Sequence, residues 1–288
     1  MEQNPNTNLL QRLEAAFANE RKTYQKVIAY ILNHSKEAIY SNIVDLAQKS
    51  QVSTATICRF CKHFGFSNFN EFKLVLASSS SKNQIEPMPE EKKDIRELSF
   101  NQMAEELFFT NVKAMRESID LLNPDAAQES AKLMQAAGRI YFFGHGGSQI
   151  VALEAWSRLL TVSNKVFTIQ DSHSQVLAAS LLEKDDVIVY ISYSGSTSEA
   201  ESILKPARIR GAKIILISHH LYSPASQYAD LILLCGSNEG PLQVGSISAR
   251  IAMLFVVDIL IHCFSSLNTV EIEENKKQSL NALKSRHI

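Results

Sequence analysis

The chain of 288 residues has four cysteines, no uninterrupted apolar run of 18 residues and almost no net charge, at −1. Each shortage excludes something. So few cysteines in a chain this long do not build a disulfide scaffold, and reduced thiols are expected. With no apolar run long enough to cross a bilayer, no charged-then-apolar leader and no lipidation motif, the expectation is a soluble cytoplasmic protein with no membrane partner. The near-neutral total conceals an asymmetry: residues 1–85 carry 10 Lys+Arg and 6 Asp+Glu, while residues 96–288 carry 17 and 20. The positive excess in the first third permits a polyanion partner and is equally ordinary for a solvated surface. A hydrophobic content of 45% is enough for one large core or two smaller ones.

Residues 8–76 show apolar residues at helical spacing and no strand-like alternation. Leu9, Leu10, Leu13, Ala16 and Phe17 form one stripe, and Val27, Ile28, Ile31 and Leu32 another. A tighter pattern follows. Ser41 is a candidate cap for a two-turn helix over Ile43 to Ser50, Gln51-Val52 makes a short turn, and Ser53 or Thr54 caps a second helix running to Phe64. Two short helices on such a turn describe a helix-turn-helix. In the second helix Ile57, Phe60, Cys61 and Phe64 share one side, and the opposite side offers Thr56, Arg59, Lys62 and His63. With Ser53 and Thr54, these are the candidate DNA contacts, since a recognition helix anchors by one face and presents donors on the other. A plain amphipathic surface helix has the same pattern. Cys58 and Cys61 form C-x-x-C, but Lys62 stands where a c-type haem site needs His, and Cys235 and Cys263 are too distant to complete a zinc site. No metal and no cofactor are expected.

From Ser78 the composition turns to serines, Pro87, Pro89 and mixed charges, which reads as a linker over 78–95 between a domain of residues 1–77 and another of residues 96–288. A long helical pattern spans Arg96 to Leu122, and Asn123-Pro124 caps a further helix ending at Gly138. The period then switches. Apolar strands at Ile140 to Phe143, Val166 to Ile169, Val187 to Ile191, Ile214 to Ile217 and Leu231 to Leu234 alternate with helices, which describes a five-stranded parallel α/β sheet. Pro206 removes a backbone donor inside one of those helices and should kink it.

Ligands of open parallel sheets bind at the carboxyl ends of the strands. The first strand ends in Gly144-His145-Gly146-Gly147-Ser148, the second in Asp171-Ser172-His173-Ser174-Gln175, and the third in Ser192-Tyr193-Ser194-Gly195-Ser196-Thr197. The third turn is the richest. Ser-x-x-Glu occurs at Ser196 to Glu199 and at Ser198 to Glu201, so a helix should begin near Thr197 with its unpaired N–H groups facing the turn. Ser192, Ser194 and Thr197 add hydroxyl donors, and Gly195 lets the backbone approach closely. An anionic group would be held there without Lys or Arg. Good turn chemistry alone would select the same residues. A dinucleotide fold is disfavoured because Gln149 stands where G-x-G-x-x-G needs its last Gly.

The Gly144-to-Ser148 turn and the Ser192-to-Thr197 turn resemble those of the sugar isomerase (SIS) domain, and residues 8–76 resemble the helix-turn-helix of RpiR-type transcriptional regulators, in the same domain order. The resemblance rests there on Ile43-Val44-Asp45-Leu46-Ala47 and on Val52 to Phe66. It implies an amino-terminal all-α helix-turn-helix bundle, a carboxy-terminal α/β SIS domain and sugar-phosphate contacts from Ser148, Ser192, Ser194 and Thr197. Gly146, His173 and Gly195 complete the candidate set. Two residues depart from the pattern: Gln51 replaces a usual Gly in the turn, and His145 stands in a glycine turn, where a solvent-facing side chain is expected.

Together these features imply a regulator, expected to be a repressor of carbohydrate genes, with operator double-stranded DNA and a phosphorylated sugar as partners and no catalytic residues. A homodimer or tetramer follows from two-fold operator symmetry. The alternative is a sugar-phosphate isomerase or lyase, for which Glu199, His173 and Glu239 are the only candidate bases near the crevice.

Overall fold

Residues 9–81, 99–237 and 247–284 are described by the computed structural model. The apolar stripes of the first third become α1 (Leu9–Ala16), α2 (Lys22–Asn33), α3 (Ser35–Tyr40), α4 (Ile43–Lys49), α5 (Thr54–His63) and α6 (Phe69–Ser81). Their apolar faces meet in one core that includes Leu13, Val27, Ile31, Leu46, Ile57, Phe60, Phe72 and Leu76. Phe60 sits at its centre, edge-on to Tyr24 at 5.3 Å and to Phe72 at 5.7 Å. A fully buried side chain of this size contributes about 1.5–3 kcal/mol, so α5 is pinned by one face. Two local expectations change. Asn42, not Ser41, caps α4: its side chain accepts from the Val44 and Asp45 N–H groups, and Asp45 closes the capping box. Ser41 instead donates to the Glu37 carbonyl. Ser78 to Ser81, read as the start of the linker, continue α6, and residues 82–95 of that linker lie outside the described residues.

The second part of the chain holds α7 (Phe100–Leu121), α8 (Pro124–Ala136), β1 (Ile140–Gly144), α9 (Gly147–Leu160), β2 (Val166–Thr168), α10 (Ser172–Ser180), β3 (Val187–Ile191), α11 (Ser198–Ile209), β4 (Lys213–Ser218), β5 (Leu231–Leu234), α12 (Ile247–Leu267) and α13 (Thr269–Leu283). The described residues fall into two compact units, divided within α7 between Leu107 and Phe108. All strand pairs are parallel, in the order β2-β1-β3-β4-β5. Period-2 alternation sends Phe142, Val189, Ile191 and Ile215 into a layer with α8, α9 and α12, and Phe143, Ile188, Tyr190 and Leu216 into a layer with α10 and α11. This double covering explains the unbroken apolar run of β3, all five residues of which are buried. α12 is long and apolar enough to cross a membrane by length and composition, and Ala252, Met253, Val256, Val257 and Leu260 bury one stripe of it against the sheet. α11 runs through Pro206 in its last turn.

The strand order decides where a ligand could enter. The chain passes from β1 outward to β2, then returns to the other side of β1 for β3. The connections leaving β1 and β3 therefore diverge, and a crevice opens between them at the carboxyl edge.

Candidate functional site

Gly144 pairs with Ile191 at the ends of β1 and β3, so the Gly144–Ser148 and Ser192–Thr197 turns start side by side. Gly144 is required there, because a Cβ would lie 2.9 Å from the Ser148 carbonyl and 3.0 Å from that of Ile191. Gly146 has φ +56 and open space where a side chain would be. Two helices begin at this crevice, α9 after Gly146 and α11 after Thr197, and neither has a side-chain cap. The expected capping boxes at Ser196–Glu199 and Ser198–Glu201 do not form. By contrast α8, α10 and α13 are capped by Asn123, Asp171 and Asn268. The positive ends of two helices thus face the switch point without a cap from either N-cap residue, and in α11 the Glu199 carboxylate bonds its own N–H.

The predicted ligand residues separate by role. Ser192 is buried and its Oγ accepts from the Gly195 N–H at 3.2 Å, so it shapes the turn. Ser194 is half-buried and its Oγ accepts from the Ser196 N–H at 3.3 Å, leaving its proton to donate. The Thr197 and Tyr190 hydroxyls are buried close to each other. Burial pushes the Tyr190 hydroxyl up to about 12, and Thr197 beside it lowers it. Gly195, at φ +59, makes its close approach to protein: a Cβ would lie 2.2 Å from Ser223 Oγ. Ser148 is half-buried, 4.0 Å from the Met253 sulfur. His173 is exposed in the first turn of α10, where the Asp171 carboxylate already accepts from the Ser174 N–H. Bonds from Ser174, side chain first, hold that carboxyl below its usual range. The β2 turn therefore carries its own anion, and its strand pairs with β1 and not with β3. His145 is exposed, as expected, and its Nε2 lies 3.8 Å from Glu199 Oε1. The Glu199 carboxyl is lowered chiefly by its own backbone N–H. Glu239 lies outside the described residues.

Sequence reading missed three residues here. Arg250 of α12 places Nη2 3.5 Å from where a Gly147 Cβ would sit, so the crevice has a cation nearby after all. Gln175, fully buried, donates to the Gly144 and Ile169 carbonyls and to Gln149 Oε1, tying β1, β2 and α9 together under the crevice. Tyr193 turns its ring away from the crevice side of the turn and stacks on His219 at 5.2 Å. No local pattern marks the first two, because their partners are remote in the chain.

On α5, Thr54, Arg59 and Lys62 are exposed on one face together with Ala55 and Cys58, and neither Arg59 nor Lys62 forms an ion pair with a described residue. Ser53 caps the helix by accepting from the Thr56 N–H, and the two hydroxyls lie 2.9 Å apart. His63 is held elsewhere: Nε2 is 2.7 Å from Glu20 Oε1 and the ring lies against Tyr24. Cys61 is buried, which with Cys58 pushes its thiol up to about 12. Among the described residues no three His, Cys, Asp or Glu side chains cluster as a metal site would require. The turn before α5 holds Gln51 at φ +55.

The rpiR-family helix-turn-helix domain model matches residues 7–83 and the SIS domain model residues 132–263. An uncharacterized HTH-type transcriptional regulator of Haemophilus influenzae is 30% identical over 283 residues, covering 98% of each chain. The chain belongs to the RpiR family of HTH-type transcriptional regulators. The regulator RpiR of Escherichia coli is 26% identical over 258 residues, 88% of this chain and 85% of that one. The fold of this RpiR-family member is shared end to end with Vibrio vulnificus NanR, solved in complex with ManNAc-6P: TM-score 0.85, 24% identity, 96% of this chain and 98% of that one. The SIS part alone is similar to the sugar isomerase domain of an RpiR transcription factor from Sphaerobacter thermophilus, with TM-score 0.56 and 17% identity over 64% and 99% of the two chains.

Proposed function

We propose that this regulator is a homodimeric repressor of carbohydrate-metabolism genes whose operator affinity is set by a sugar phosphate, with the phosphate at the β1/β3 crevice. The observation that carries the reading is the pair of helix N-termini there, α9 and α11, without side-chain caps beside the half-buried Ser194 hydroxyl. A phosphate would accept from their first-turn N–H groups, and Ser194, Thr197 and Ser148 are the hydroxyls placed to add bonds. The ManNAc-6P bound to NanR, a protein of the same fold, supports the ligand class. The reading assigns no catalytic role: Glu199 is bonded to its own N–H, with His145 Nε2 3.8 Å away, so it is not poised as a base.

The test is a thermal-shift series with ManNAc-6P, glucose 6-phosphate, fructose 6-phosphate and the same sugars unphosphorylated. A phosphorylated member at 100 times its dissociation constant should stabilise the protein by about 2.7 kcal/mol, and its unphosphorylated counterpart should not. Combining Ser194→Ala with Thr197→Val should lower affinity at least tenfold, because bonds to charged groups contribute about 1.5–3 kcal/mol each. Equal affinity in the double variant and the wild type would place the effector elsewhere. Conversion of one sugar phosphate into another would favour an enzyme.

A further inference from the structure

Tyr193 stands between the two serines of the crevice turn, and every group it offers is engaged with the rim of the sheet. Its carbonyl accepts from the His219 N–H at 2.9 Å and from Ser218 Oγ at 3.1 Å. Its ring stacks on His219, whose Nδ1 lies 2.8 Å from the Cys235 carbonyl. Its hydroxyl donates to the carbonyl of Ser237, just beyond β5.

Ser237 is the unusual partner. It is a non-glycine residue at φ +76, a left-handed state that L-residues seldom adopt unless their surroundings impose it. Besides Tyr193, two further elements hold it: its N–H donates to Glu117 Oε2 of α7 at 3.0 Å, and its Oγ lies 2.9 Å from Ser248 Oγ of α12. The preceding Gly236 N–H donates to Ser118 Oγ of α7 at 2.8 Å. A Cβ on Gly236 would lie 2.4 Å from the Ala114 carbonyl, so backbone is pressed on backbone at that point. α7 in turn begins at Phe100, directly after the segment that joins it to the helix-turn-helix. One tyrosine hydroxyl thus connects the Ser192–Thr197 turn to a strained residue bolted to α7.

We propose that Tyr193 is a positioning residue whose hydroxyl, clasping Ser237, reports anion occupancy of the Ser192–Thr197 turn to α7. This rests on the reading of that crevice as the effector site. When the turn closes on a phosphate, Tyr193 moves with Ser192 and Ser194, and Ser237 is drawn with it. Glu117 and Ser118 follow through the two N–H bonds. Packed interfaces respond to small shifts by switching between discrete arrangements, and Ser237 is held in its left-handed backbone state by the very contacts that such a shift would alter.

The experiment is hydrogen–deuterium exchange on the full chain, with ManNAc-6P and inorganic phosphate as probes and binding checked separately by thermal shift. In the wild type a bound probe should change exchange of α7 peptides over residues 108–121 at least threefold. In Tyr193→Phe, which keeps the ring on His219, affinity should stay within about threefold, and the bound-to-free ratio over α7 should fall to near one. A merely structural tyrosine would raise exchange in both states and leave that ratio intact. Glu117→Ala lies outside the crevice and should also bind the probe without the α7 response, which decides the matter if Tyr193→Phe does not fold. Binding with a full α7 response in either folded variant overturns the proposal, as does a wild type that binds without any α7 change. A wild type that binds neither probe overturns the crevice reading as well.

Discussion

At the scale of single residues the turn of the helix-turn-helix is the sharpest test. A non-glycine residue at φ +55 is strained by roughly 1–2 kcal/mol relative to right-handed backbone, and glycine gives back about 0.5–1 kcal/mol as unfolded-chain entropy. Gln51→Gly should therefore stabilise the amino-terminal unit by up to about 1.5 kcal/mol. Trp156, the single tryptophan, lies in the second unit. Urea titration should move the far-UV circular dichroism transition of the first unit upward while the tryptophan fluorescence transition stays in place. A transition that moves downward would mean that the glutamine side chain makes a contact outweighing its strain.

At the scale of the element, α5 is amphipathic in sequence and doubly employed in structure. Its apolar side is locked by Ile57, Phe60 and Cys61 in the core, while Arg59 and Lys62 stand exposed. His63, at the helix end, is occupied by Glu20 and Tyr24. Arg59 and His63 should thus behave differently. Arg59→Ala should weaken binding to a duplex selected from a random pool by about 1–3 kcal/mol and leave sugar-phosphate stabilisation unchanged. His63→Ala should bind that duplex close to wild type. Fluorescence anisotropy across a salt series measures both, and a larger loss at His63 than at Arg59 would put the other edge of α5 against DNA.

At the scale of the whole molecule, acid stability is distributed over both units. Glu37 bonds to Lys49 and to Tyr30, and those bonds, Lys49 first, lower its pKa. Asp230 is opposed by burial but wins a lowered pKa from the Ile214 N–H, Arg208 and Lys213, fastening β5 to β4 and α11. A carboxyl depressed in the folded state stabilises it above the ordinary value of about 3.9, and the contribution is lost as pH falls through the folded value. Asp230→Asn should thus cost about 1–3 kcal/mol at pH 7, and the gap to wild type should narrow as pH falls below about 4. Urea midpoints read from Trp156 at pH 7 and pH 3.5 measure this, and a gap that is constant with pH would deny Asp230 its charged role.

What the sequence by itself determined is local and periodic. Helical stripes, the five apolar strands and the helix start at Thr197 all follow from neighbours within a few residues, where spacing and backbone sterics act, and the special position of Gln51 was visible only through the family resemblance. The crevice turns were legible because glycine and hydroxyl side chains have few other reasons to gather at strand ends. Tertiary structure decided the rest. That Gly195 packs on Ser223, that Gln175 reaches Gly144, that His63 belongs to Glu20, and that Arg250 reaches Gly147 are all pairings across long stretches of chain. Such contacts are fixed by strand order and helix packing, which no local pattern encodes. The same holds for Tyr193: in sequence it is one aromatic among serines, and only the position of Ser237 beside it in space makes it a clasp.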